Sequence, residues 1–241
     1  HVDCFIDINQ ENYTGEIIQL QGADNAFEFQ EDTSKDLLNF VRYKTGYIRI
    51  KERDYGELDA LYPTTLFSRY VKVYYGRTNC VFSGYIQCQE FESDFSACPR
   101  TIELPVISPL GLLESIYFDK PTQDTNVPGF VGLSPGMVTL GSLMRVVMDK
   151  LNADYEEVIY PGNTLAPWNC EMLSTICTPL NTDFKHYQSS DSIYTPESLK
   201  YFIEGVCSWL GWFVHDTPNA IVFSQYDLPY GSAYSRVTYE N

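Results

Sequence analysis

The sequence predicts a β-rich α+β fold, with a small N-terminal β-barrel or sandwich over residues 1–118 and an α+β domain over 138–241 carrying two amphipathic helices and a C-terminal hairpin. Three observations lead there. Short runs alternating apolar with polar residues fill the first half. A cluster of Pro121, Pro128, Gly129, Gly132, Pro135 and Gly136 marks a Pro/Gly-rich linker over 119–137. Beyond it the hydrophobic period changes from two to 3.6.

In the first strand, Val2, Cys4, Ile6 and Ile8 alternate with Asp3, Asp7 and Asn9, and Asn-Tyr-Thr-Gly at 12–15 supplies a turn. Further strands are expected at 16–20, 26–30, 46–51, 67–75, 80–87 and 101–107, each short and bounded by Gly, Asn, Asp or Pro. Tyr75-Gly-Arg-Thr-Asn79 reads as a hairpin loop, and Gly84 as a bulge or a close backbone approach of the kind at which small barrels close. Ser34 heads either a short helix through Leu37, Leu38 and Val41 or a loop with an apolar plug.

In the second half, Leu140, Leu143, Met144, Val147, Met148 and Leu151 share one helical face behind a Thr139 cap. Leu199, Phe202, Ile203, Val206, Cys207 and Leu210 repeat that spacing, with Thr195 as N-cap, Pro196 at the first helical position and Gly211 as stop. A strand over 212–215, a turn at Asp216-Thr-Pro-Asn219 and a strand over 221–225 complete a helix–hairpin unit.

Composition narrows the function. The 241 residues carry 32 acidic and 16 basic side chains, a net charge of -16. The surplus is even, with 19 acids and 11 bases before residue 121 and 13 and 5 after it. An evenly acidic chain repels phosphate backbones and anionic membrane surfaces, so no direct nucleic-acid or membrane partner is expected. No run approaches the roughly 20 apolar residues of a membrane span. Residues 1–9 have no basic, apolar leader, and the strand pattern is already under way at Val2, so the chain reads as cut from something longer.

The seven cysteines, Cys4, Cys80, Cys88, Cys98, Cys170, Cys177 and Cys207, are scattered without a CxxC pair. That disfavours zinc ribbons and thioredoxin-like sites and favours free thiols, with Cys4 and Cys207 on apolar faces and a Cys80–Cys88 bridge left open. His186 and His215 have no metal-ligand spacing, and Asp3, Asp7 and Glu11 match a calcium loop only loosely. Phosphate-binding and serine-nucleophile motifs are absent. No catalytic residue, metal or cofactor is therefore expected. Glu90, Glu92 and Asp94 alternate on one strand face, where a solvated acidic edge outweighs a glycosidase pair. Trp168, Trp209 and Trp212 are the candidate interaction aromatics, in a chain with 19 tyrosines.

Three stretches carry a resemblance: Gly22-Ala-Asp-Asn-Ala-Phe27, Thr45-Gly-Tyr-Ile-Arg-Ile50 and Val81-Phe-Ser-Gly-Tyr-Ile86. With Pro99-Arg-Thr-Ile-Glu-Leu-Pro105 and Ser108-Pro-Leu-Gly-Leu-Leu113, they make residues 15–118 resemble tail proteins of phages and prophages of Bacteroides-like bacteria. The unit from Leu199 to the turn at Asp216 is similar to the helix–hairpin of tail-tip and baseplate hub proteins. The resemblance implies a virion structural protein, assembled in the bacterial cytoplasm as a homo-oligomeric ring with other tail proteins, and no enzyme. The rival readings are a cell-surface carbohydrate- or peptide-binding module built on the tryptophans, and third a glycoside hydrolase acting through Glu90 or Glu92.

Overall fold

The computed structural model describes residues 4–10, 14–31, 39–87, 97–117, 137–139, 147–151, 153, 155–161, 177–179, 185–187, 194–196, 198–225 and 234–238. They fall into two compact units that interleave along the chain. The first comprises His1–Thr33, Tyr43–Gly111 and Asp216–Pro218, and the second Ser34–Arg42, Leu112–His215 and Asn219–Asn241. The expected linker, apart from Met137, lies outside the described residues.

In chain order the first strands are β1 (Cys4–Gln10), β2 (Gly22–Glu31), β3 (Val41–Arg42), β4 (Lys44–Glu52), β5 (Arg69–Tyr75), β6 (Asn79–Ile86) and β7 (Arg100–Ile107). All but β3 form one antiparallel sheet of the first unit, in the order β1-β5-β6-β7-β4-β2. Period-2 alternation explains its two faces. Ile48 and Ile50, Val71 and Val73, and Ile102, Leu104 and Val106 are buried together with Phe82, Ile86 and Leu58 in one core. Each such side chain contributes about 1.5–3 kcal/mol on burial.

The sheet curls strongly around that core. Three ladder steps separate β2 from β6, a span of about 14 Å in a flat sheet. Yet the Phe27 and Phe82 rings approach to 5.3 Å. Glycines permit the tight spots: a β-carbon at Gly46 would stand 2.2 Å from the Glu28 carbonyl oxygen, and one at Gly84 2.3 Å from that of Ile107. Gly84 is thus a close backbone approach. The bulge falls instead between Val73 and Tyr74 of β5 in their register with β6.

Closure into a barrel does not follow, and the sheet stays open with β1 and β2 as its edges. The register of β2 is broken between Gly22 and Phe27, where Asn25 takes a left-handed φ of 53°. A bulged edge cannot present an unbroken row of amides and carbonyls to β1. The strand expected at 16–20 does not form, since among the described residues that stretch joins no ladder and pairing begins with the Gln21 carbonyl, which accepts from Lys51 N–H at 2.9 Å. The 75–79 hairpin forms as expected, with Gly76 at φ 64°.

The second unit contains β8 (Met137–Thr139), β9 (Glu157–Pro161), β10 (Cys177–Pro179), β11 (Lys185–Tyr187), β12 (Tyr194–Pro196), the helix α1 (Leu199–Leu210), β13 (Trp212–Asp216, all but its last residue), β14 (Ala220–Gln225) and β15 (Tyr234–Thr238). Its main sheet runs β15-β9-β14-β13-β3, with β14 parallel to β9 and β13 parallel to β3. Ala220 to Ser224 of β14 are buried on both faces, as befits a central strand.

Helix α1 buries Leu199, Phe202, Ile203, Val206 and Cys207, the predicted stripe, and Gly211 at φ 67° ends it by donating its N–H to the Cys207 carbonyl. Its N-cap is Ser198, whose hydroxyl accepts from Tyr201 N–H at 3.3 Å, and not Thr195. Thr195 and Pro196 are engaged in the β11–β12 ladder opposite His186 and Lys185, which leaves the cap to the next small hydroxyl residue. Of the other predicted helix, residues 147–150 are helical and Val147, Met148 and Leu151 are buried, while Leu140, Leu143 and Met144 lie outside the described residues.

Candidate interaction surfaces

The structure does not bring the candidate aromatics together. Trp168 lies outside the described residues. Trp209 stands on the outer side of α1, 59% exposed, whereas Trp212 is buried to 5% with its ring 6.0 Å from Phe223. The three-residue step between them crosses from the end of a helix into a strand, so one side chain faces solvent and the other the sheet's core. Glu90, Glu92 and Asp94 lie outside the described residues, as do Asp3 and Glu11. His215 stacks on Phe213 at 5.9 Å, and the Arg42 guanidinium lies 4.5 Å from the centre of that ring.

The thiols divide by burial. Cys4, Cys80, Cys98 and Cys207 are free. Burial first, and the nearby Glu204 charge second, push the Cys207 thiol up to about 12, the behaviour of an inert core group. Cys4, expected on an apolar face, is instead exposed, because it stands at the start of an edge strand.

Two surfaces of the first unit are open for contact. One is the segment before β2. Ile17 is 94% exposed and Ile18 72%, on a stretch of strand-type sequence that no ladder takes up. It connects the two edge strands in sequence, and among the described residues each of those strands has a ladder on one side only.

The other is the face of β2, β4 and β7 turned away from the core. Glu28, Tyr47 and Pro105 stand opposite one another across the three strands, and so do Gln30, Thr45 and Ile107. Arg49 Nε donates to Glu103 at 2.6 Å, and its Nη1 donates to Glu28 at 3.0 Å and to the Asn25 carbonyl at 3.3 Å. Hydrogen bonds to Glu103 and then to Glu28 raise the guanidinium's pKa above its ordinary value. Exposed pairs of this kind add at most about 1 kcal/mol each, so their effect here is to hold side chains in place. Beside them lies a cleft of about 450 Å³.

Solved structures similar to the chain include two tail proteins. One is the 43 kDa tail protein of prophage MuSo2 from Shewanella oneidensis, at 13% identity and a TM-score of 0.45, over 91% of this chain and 55% of that one. The other is the tail protein from Neisseria meningitidis MC58, at 12% identity and a TM-score of 0.43, over 94% of this chain and 52% of that one. The chain therefore spans about half the length of each. No protein-family model and no curated protein matches it.

Among the described residues no group of three or more His, Cys, Asp or Glu is placed to hold a metal ion. No helix among them is long and apolar enough to cross a membrane. Sequence reasoning missed the cleft, although the alternation at Thr45, Tyr47 and Arg49 already places those side chains on the face opposite Ile48 and Ile50. The missing information was the pairing that sets Gln30 and Pro105 beside them.

Proposed function

We propose that the chain is a non-enzymatic structural component of a phage or prophage tail, similar to a tail-tip or baseplate hub protein, and that it acts by assembling into a ring with copies of itself and with other tail proteins. The observation that carries this reading is the exposure of Ile17 and Ile18 on strand-type sequence without a ladder, between two open sheet edges. An isolated chain gains nothing from two adjacent isoleucines in water; a neighbouring subunit that covers them gains about 25 cal/mol per Å² of apolar surface. An added strand satisfies the free edges at the same time. The resemblance of residues 15–118 to tail proteins supplies the setting, the virion, with assembly in the bacterial cytoplasm.

The even acidity fits a component past which DNA moves without sticking. It also makes like copies repel, over a screening distance of roughly 8 Å at physiological salt, so ring formation strengthens as salt rises. The direct test is to purify intact tails from the producing bacterium and locate the chain with a labelled antibody. The proposal expects label at one fixed position in every tail. Tails that are complete without the chain contradict it.

A further inference from the structure

The geometry points to a binding site for a small neutral saccharide in the cleft on the outer face of β2, β4 and β7. This inference stands apart from the assembly reading, since it uses neither Ile17, Ile18 nor the sheet edges.

The cleft has the volume of a small-molecule site, which usually falls between about 300 and 1,000 Å³. Tyr47 lines it, an aromatic ring 43% exposed on the face away from the core. Around it are the amides of Gln30 and Gln87 and the hydroxyl of Thr45. Among the described residues the side chains of these four make no hydrogen bond. Three polar side chains that line one cleft with an open aromatic ring, without using one another, are available to a ligand. Their chemistry suits a sugar ring: the C–H face lies on the tyrosine, and the hydroxyls both donate to and accept from amides and hydroxyls.

The surroundings exclude other classes. Arg49, the cation of the cleft wall, already donates to two carboxylates and a carbonyl, so it has little to offer an anion. Those carboxylates, Glu28 on the cleft and Glu103 behind Arg49, leave the three-residue cluster with one negative charge in excess, which disfavours phosphate and uronate groups. An extended peptide is disfavoured because β4 is hydrogen-bonded on both sides, to β2 and β7, and presents no free backbone ladder on the cleft floor. Glu28, fixed by Arg49, contributes a further acceptor at the rim.

Saturation-transfer NMR on the full chain tests this with methyl glucoside, methyl galactoside, methyl N-acetylglucosaminide and cellobiose as neutral probes, and with glucuronate and an acetylated, amidated Gly/Ser peptide as contrasts. At least one neutral sugar is expected to bind at millimolar concentration, and glucuronate and the peptide more weakly than that sugar. Tyr47→Ala weakens binding up to about tenfold, and Tyr47→Phe retains the ring and stays within about threefold of the natural chain. Gln30→Ala and Gln87→Ala each cost roughly threefold and give an independent reading should the tyrosine variant fold poorly. No response to any neutral sugar, a sugar response that all these variants leave intact, or stronger binding of glucuronate or the peptide overturns the inference.

Discussion

Residues 16–20, Glu-Ile-Ile-Gln-Leu, and β14, which opens Ala-Ile-Val-Phe, each carry a β-branched pair that favours a strand but stand in opposite environments. Ile221 and Phe223 are fully buried, and β14 is flanked on both sides by ladder partners. Ile17 and Ile18 stand in water without one. The difference teaches that strand propensity expresses a fit to a pleated, covered surface, so that a segment with the propensity but no ladder among the described residues stays out of the sheet. The comparison can be broken at either end.

The largest effect belongs to the covered strand. Phe223→Ala is expected to cost about 3–5 kcal/mol in denaturant unfolding, since it leaves a cavity beside Trp212. Gly84→Val comes next, because its β-carbon has only 2.3 Å to the Ile107 oxygen. Overpacking at that point costs about 1–3 kcal/mol and lowers the thermal midpoint. Ser198→Ala removes the α1 cap for about 1 kcal/mol, while Thr195→Ala, which lacks that role, costs less by the same measurement. At the uncovered end, Ile17→Asp is expected to shift the stability of the dilute chain by no more than about 0.5 kcal/mol. A loss as large as that of Phe223→Ala would place Ile17 in a core and end the comparison.

Legibility followed the same division. Where a segment's neighbours lie close in sequence, as in the β5–β6 hairpin or the α1 stripe running to Gly211, spacing alone places the residues. Where the outcome depends on distant strands it does not. The open ladder follows from the bulge at Asn25, and the cleft from Gln30, Tyr47 and Pro105 meeting across three strands. Thr195 failed as a cap for a similar reason, its backbone being engaged opposite His186. Trp209 and Trp212 were legible as aromatics but not as one exposed and one buried, because the chain changes from helix to strand between them.

Sedimentation velocity of the full chain across a salt series, beside an Ile17→Asp/Ile18→Asp variant, tests assembly through the uncovered segment most directly. The account predicts that the natural chain self-associates, more strongly as salt rises, and that the variant sediments as a folded monomer at every salt concentration. A natural chain that stays monomeric throughout, or a variant that associates equally well, would contradict it.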